Sequence, residues 1–222
     1  MNKLTTPGEA VSKIKDGDTI LVGGFLMAGS PETLIKALLE KSAAKDLTVV
    51  SNDTGTAESN MIKVMKEGRV TKVHASYIGA NPMTGQMLID DPDSVTLYPQ
   101  GTLAEKVRCG GAGIAAFYTP VGVGTIIENG KEKRAFDGRE YLLETAMRGN
   151  VAIVKATVAD KFGNCYMRGS TKNFGALMAR AADYVIAEAR KIVEVGELDP
   201  ELVTLPGIFV DALVQSEDTY GR

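Results

Sequence analysis

The chain has 222 residues, of which 44% are hydrophobic and 24% charged, and its net charge is −3. A chain of this length buries roughly 70% of its unfolded surface, so it needs no metal or disulfide to hold a core. The slightly acidic balance, with no basic stripe, argues against nucleic acid as a partner, and no run approaches the ~20 apolar residues that span a bilayer.

In chain order, Thr6 and Glu9 have capping-box spacing for a short helix, "PGEAVSKIK". "DGD" turns into a strand, "TILVGG". Ser30 is expected as an N-cap with Pro31 at the first helical position, opening "PETLIKALLEKSAAK" with Leu34, Leu38 and Leu39 on one face. "DLTVVSND" reads as a buried strand, "TAESNMIKVMKEG" as a helix stopped by Gly68, and "VTKVHASYIG" as a third strand. "SVTLYPQ" is a fourth strand, and "TLAEKVRCGG" a short helix with Thr102 and Glu105 in capping-box spacing, closed by glycine. "TIIENGKEKRAFDGREYLLE" reads as an antiparallel excursion, with Asn129-Gly130 and Asp137-Gly138 as hairpin turn pairs. "VAIVKATV" is a buried strand, "DKFGNCY" a turn, "NFGALMARAAD" a helix and "YVIAEA" a strand; the tail "EDTYGR" is expected to fray.

This alternation predicts an α/β fold: an open, mostly parallel sheet with helices on both faces and an antiparallel hairpin excursion. No linker divides the chain, so one domain, residues 1–222, is expected. The cysteines, Cys109 and Cys165, lie far apart and His74 is the sole histidine, so reduced thiols and no metal site are expected. The N-terminus lacks an apolar stretch of signal-peptide length, and a cytoplasmic location is expected.

In an open parallel sheet, ligands bind beyond the carboxyl ends of the strands. Three glycine or polar clusters fall there: Gly23-Gly24, Ser51-Asn52-Asp53 and Gln100-Gly101. A neutral amide at a strand end donates to a developing oxyanion without adding charge, which makes Asn52 and Gln100 candidate contacts. Each also has an ordinary reading, as a strand-exit turn or a partner for backbone. Phe25 and Met27 also read as core packing. "GGFLMAGSP" lacks the Gly-Lys-Ser/Thr of a Walker loop, and "GAGIAA" follows a helix where a dinucleotide fingerprint follows a strand. His74 reads as a hydrogen-bonded residue of the core or surface. Lys106 and Arg108 follow a helix start and could reach an anion, but read first as solvated helix residues; the runs "KEGRVTK" and "NGKEKR" read as solvated charge.

"DGDTILVGGFLMAGSP" (16–31) resembles the first signature of the family I coenzyme A transferases, with Asp16, Gly17, Ile20 to Val22, Gly23, Gly24, Phe25, Gly29 and Pro31 in register. "VSND", "SYIGANP", "PQGTLAE", "RCGGAGI", "GVGT", "STKNF" and "PGIFVD" resemble the α subunit of the short-chain (acetate, butyrate, acetoacetate) and 3-oxoacid enzymes, over essentially the whole chain. The resemblance implies a CoA-transferase and ribose-phosphate-isomerase-like fold, and exchange of coenzyme A between an acyl-CoA and a free carboxylate. It implies CoA binding by Gly23, Gly24, Phe25, Leu26, Met27, Ala28 and Gly29, with Asn52 and Gln100 lining the active site. The family's nucleophilic glutamate lies in the β half, in a Ser-Glu-Asn-Gly type motif. Here Ile127 precedes "ENG" at Glu128, and Glu58 in "AESN" has the wrong order. No catalytic glutamate is therefore expected in this chain, and a separate β subunit, usually in an α2β2 assembly, is expected to supply it. The thioester is a substrate, and no cofactor is implied. A stand-alone sugar-phosphate isomerase would want a carboxylate base and a phosphate cradle within the chain. A ligand-sensing module would want an attached nucleic-acid-binding segment.

Overall fold

The computed structural model of the protein describes residues 2–217. Its main sheet has nine strands: β1 (Leu4–Thr5), β2 (Thr19–Val22), β3 (Leu47–Ser51), β4 (Val70–Ala75), β5 (Val95–Leu97), β9 (Gly149–Asp160), β10 (Cys165–Tyr166), β11 (Ala182–Val193) and β12 (Ala212–Gln215). The spatial order is β1-β12-β11-β9-β2-β3-β4-β5, every pair along it parallel, with β10 folded back antiparallel on β9. From β2 the chain winds outward through β3, β4 and β5. It then returns to the other side of β2 as β9. The reversal puts the topological switch point between β2 and β9, where Ile20 pairs with Val151 and Val22 with Ile153.

Side chains alternate between the two faces of the sheet. Ile20 and Val22 pack in one core with Val49, Val73 and Ile153, beneath helices α1 (Pro7–Val11), α2 (Glu32–Lys41) and α3 (Asn60–Lys66). Leu21 faces the other way, with Val50, Ala152 and Val154, beneath α5 (Gln100–Ala112) and α6 (Gly175–Arg180). Both faces are thus covered, as the continuous apolar runs of a parallel sheet require.

Several helix boundaries differ from the sequence reading. The Thr6–Glu9 capping box forms. Ser30 does not cap α2; its Oγ donates to Glu32 Oε1 (2.8 Å), and the backbone N–H groups of Thr33 and Leu34 donate to Glu188 from across the sheet (2.9 and 3.2 Å). A distant carboxylate satisfies the helix start, so the local hydroxyl is released. Helix α3 starts at Asn60, later than expected, because Ser59 caps it through the Met61 N–H (3.2 Å). Helix α4 (Pro82–Asp90) is an addition: Asn81 caps it and Pro82 fits the first turn, while Gly85 in its middle masks the helical pattern. Helix α5 begins at Gln100, two residues before the expected Thr102 cap. Thr102 lies inside it with a buried Oγ1 that has no partner, and the helix ends at Gly113 (φ 72°), past Gly110 and Gly111.

The excursion is a three-stranded antiparallel sheet of β6 (Ala116–Thr119), β7 (Lys133–Phe136) and β8 (Arg139–Thr145), in the order β6-β8-β7. Asp137 and Gly138 (φ 48° and 77°) make the expected hairpin turn. Asn129-Gly130 does not; Asn129 has φ −59° and follows a 3-10 turn over Ile126–Glu128, so only one of the two required positive φ values is present.

Lys106 is not solvated. It is buried and pairs with Glu144 of β8 at 3.0 Å, and Lys131 pairs with the other carboxylate oxygen. Burial pushes the Glu144 pKa up, but the two ammonium groups bring it net below the ordinary range. Arg69 of "KEGRVTK" is likewise buried, its Nε donating to Ala44 O at 2.8 Å. Arg108 is exposed and pairs with Glu105, as solvated charge should. Of the tail, Glu217 is held by its N–H to Thr33 Oγ1 (2.9 Å), while 218–222 lie outside the described residues. No helix among the described residues is long and apolar enough to cross a membrane.

Candidate active site

The glycine loop leaves β2 at the switch point. Gly23 donates its N–H to Ile153 O (3.0 Å), and a Cβ added there would lie 3.3 Å from Gly175 Cα at the start of α6. A larger residue would push the loop off β9. Gly24 (φ 100°) turns the chain, and Phe25 and Ala28 then exchange both backbone hydrogen bonds (3.0 Å each) around a two-residue tip, Leu26-Met27. Leu26 sits at φ 54°, a conformation that costs an L-residue roughly 1–2 kcal/mol. It is held there by Asp53, whose Oδ2 accepts the Leu26 N–H at 2.8 Å and whose Oδ1 accepts the Gly55 N–H at 3.1 Å. Burial raises the Asp53 pKa, against the opposing pull of those two donors. Phe25, Leu26 and Met27 are half-buried and Ala28 is exposed; the Phe25 ring lies 6.0 Å from that of Tyr77. Phe25 and Met27 are therefore not simply core residues.

Gly29 closes the loop. At φ 76° its added Cβ would stand 2.8 Å from Thr171 O. Gly29→Ala is expected to cost about 2–4 kcal/mol, from left-handed strain plus displacement of residue 171. Gly68→Ala is the control: φ is 69°, but nothing lies within 4 Å, so only the backbone part, about 1–2 kcal/mol, should appear. Urea denaturation of both variants checks this, and equal losses would show that the 171 contact is immaterial.

Asn52 and Gln100 meet. Asn52, at the end of β3, is fully buried; its Oδ1 accepts from Gln100 Nε2 (3.0 Å) and Ser76 Oγ (2.5 Å), and its Nδ2 donates to Asn173 Oδ1 (3.1 Å). Gln100 is exposed at the first turn of α5, where Pro99 offers no side-chain cap. The first-turn N–H groups there have no intrahelical partner and favour an anion. Ser76 and Asn173 join this cluster through Asn52, and no local pattern in the sequence points to either. Asn173 lies 121 residues from Asn52, and only the fold joins them.

The remaining candidates are occupied elsewhere. His74 is half-buried, 3.3 Å from the Tyr98 hydroxyl, and burial followed by Lys106 and Lys72 lowers its pKa. Glu128 accepts the Gly124 N–H (2.6 Å) and Lys133 Nζ (3.2 Å), which lower its pKa in that order. Glu58 is exposed just before the α3 cap. Among the described residues, no three His, Cys, Asp or Glu side chains group as a metal site.

The fold is thus an open parallel α/β sheet with a glycine loop at its switch point and a chain of carboxamides beyond its strand ends, a form in which ligands bind outside the carboxyl ends of the strands. Residues 4–216 match the sequence profile of the coenzyme A transferase family, and the chain belongs to that family. It is 43% identical over 217 residues to the alpha subunit of the acetate CoA-transferase of Escherichia coli K12, covering 98% of each chain. It is 43% identical over 204 residues to the alpha subunit of the acetoacetyl-CoA:acetate/butyrate CoA transferase of Clostridium acetobutylicum, covering 92% of this chain and 93% of that one. Its fold matches a crystal structure of an acyl-CoA transferase from E. coli O157:H7, a thioester complex with CoA, at a TM-score of 0.86 and 24% identity. That match covers 98% of this chain, which spans about half (48%) of the longer one.

Proposed function

We propose that this chain is the α half of a two-chain CoA-transferase that moves coenzyme A between a short-chain acyl-CoA (acetyl, butyryl or acetoacetyl) and a free carboxylic acid. The observation that carries this reading is that the carboxylates beside the glycine loop are already committed. Asp53 holds two backbone N–H groups. Glu32, also buried, accepts from Ser30, Ser59 and the Asn60 backbone and side chain. A nucleophile must then come from outside, and a glutamate of a β subunit, in an α2β2 assembly, fills that role.

The glutamate attacks the thioester carbonyl and expels CoA thiolate, leaving a mixed anhydride. The thiolate attacks the glutamyl carbonyl, releasing the first acid and leaving a glutamyl-CoA thioester. The acceptor acid reverses the sequence. A covalent route of this kind splits one difficult exchange into easier steps and gives ping-pong kinetics. In this reading residues 23–29 lie along the CoA moiety, their glycines permitting close backbone approach. The outward N–H of Gln100 and the first-turn amides of α5 stabilise the oxyanion or the acid's carboxylate. The thioester is a substrate, no further cofactor is called for, and the reaction belongs in the cytoplasm.

The test is co-purification with the β subunit, followed by transfer from acetoacetyl-CoA to acetate. The complex is expected to show parallel double-reciprocal lines and the isolated chain no transfer. Transfer by the isolated chain at the rate of the complex would refute the reading. Glu128→Gln, at a carboxylate already held by the Gly124 N–H and Lys133, should leave the complex within about twofold of the parent rate.

A further inference from the structure

We propose that Asn173 is a positioning residue that sets, through Asn52, which end of the Gln100 carboxamide is turned toward the substrate. The inference rests on the reading of Gln100 as a substrate contact. A carboxamide has a donor end and an acceptor end, and its partners decide which faces where. The deciding partner here is backbone. The Phe174 N–H can only donate, and it lies 2.8 Å from the Asn173 side chain, so the atom facing it is Oδ1. The same oxygen faces Asn52 at 3.1 Å, so Asn52 presents Nδ2 to it. The opposite end of Asn52 is then Oδ1. It accepts the Ser76 hydroxyl at 2.5 Å and must meet a donor on Gln100, which is Nε2 at 3.0 Å. One N–H of Gln100 is thereby fixed inward, and its second N–H and Oε1 are turned out. Reversing any member would set oxygen against oxygen or N–H against N–H.

The backbone of Asn173 points the same way. It has φ 21° and ψ −126°, a positive-φ conformation that L-residues rarely adopt and that glycine, with no Cβ, tolerates better. An asparagine held there is explained by its side-chain oxygen. The segment also abuts the glycine loop, through Thr171 O against Gly29. The relay therefore joins the loop, the end of β3 and the start of α5.

Two substitutions separate the side chain from the backbone. Asn173→Asp keeps an acceptor for both bonds. Asn173→Gly keeps the backbone and removes the acceptor. In the assembled enzyme, Asn173→Asp is expected to turn over within about threefold of the parent. Asn173→Gly should lose about tenfold or more in kcat, with KM for acetoacetyl-CoA nearly unchanged; the Asn52 amide left without its acceptor is partly offset by relief of the positive φ, so the melting temperature should fall by no more than roughly 10 °C. A glycine variant with parent kcat, or an aspartate variant as impaired as the glycine one, overturns the relay. The Gln100 side-chain NH2 resonances, assigned by their loss in Gln100→Ala, test the relay apart from turnover. Asn173→Gly must shift them and Asn173→Asp must leave them in place. If the parent complex transfers no CoA but these shifts appear, the functional reading fails and the relay stands. If transfer is normal and Asn173→Gly moves neither kcat nor the resonances, the relay fails alone.

Discussion

Glu188→Ala is expected to cost about 3–5 kcal/mol of stability, the usual loss when one member of a buried ion pair is removed. Glu188, on β11, is fully buried, and its partner Lys155 on β9 is 4% exposed at 3.3 Å. The carboxylate also accepts the Thr33 and Leu34 N–H groups at the start of α2 and the Ser216 hydroxyl beyond β12 (2.5 Å). Truncation removes the Glu188 carboxylate from beside Lys155 in the core and leaves two helix-start N–H groups without that acceptor. A fall in melting temperature of roughly 6–20 °C should follow, read by calorimetry. A loss below about 1 kcal/mol would mean that water or a rearranged Lys155 replaces the carboxylate.

The pH dependence has a definite sign. Burial raises the Glu188 pKa above its ordinary 4.5, although Lys155, Ser216 and the Leu34 N–H oppose it. The folded state then binds this proton more tightly than the unfolded state. The contribution is fully present below pH 4.5 and is lost as pH rises through the folded pKa. Glu188→Gln should flatten that part of the stability profile.

Gln100→Ala is expected to lower kcat of the assembled enzyme by about 100-fold, in line with removal of one oxyanion donor. KM for the acyl-CoA should change little, because the lost bond matters most where charge develops. The side chain is exposed and tied to the protein by the Asn52 contact, so stability should hold. Steady-state kinetics with a parallel thermal melt decide the matter. Near-parent turnover removes Gln100 from the chemistry, and with it the purpose of the Asn52 contact.

The winding of the sheet is readable from sequence because each step is local. "TILV" and "LTVV" are apolar runs long enough for a strand and too short for a helix, and glycine, serine or aspartate ends each of them. Placing the glycine loop at a strand end needs nothing more. The misses have a common cause: the partner lies far away in the chain. Ser30 looks like a cap until Glu188 takes over the start of α2. Lys106 looks solvated until Glu144 is folded beneath it. Asn52 and Gln100 are legible separately as strand-end amides, but their mutual contact and the Asn173 anchor depend on β3, α5 and the turn before α6 converging. Local pattern reports backbone state well; it is silent on which buried charge or amide will find which.

The β2–β9 seam also imposes an order on biosynthesis. Strands β2 to β5 pair with near neighbours and can assemble as they emerge from the ribosome. The other flank waits for residue 149, the start of β9, and joining Ile20 to Val151 closes a loop of more than a hundred residues. The glycine loop leans on β9 and α6, so its shape belongs to the last stage of assembly. A nascent chain halted before β9 would hold one flank of the sheet with its inner edge bare at β2, a template for pairing with another chain. The loop proposed to lie along coenzyme A is thus also the part that certifies a completed fold.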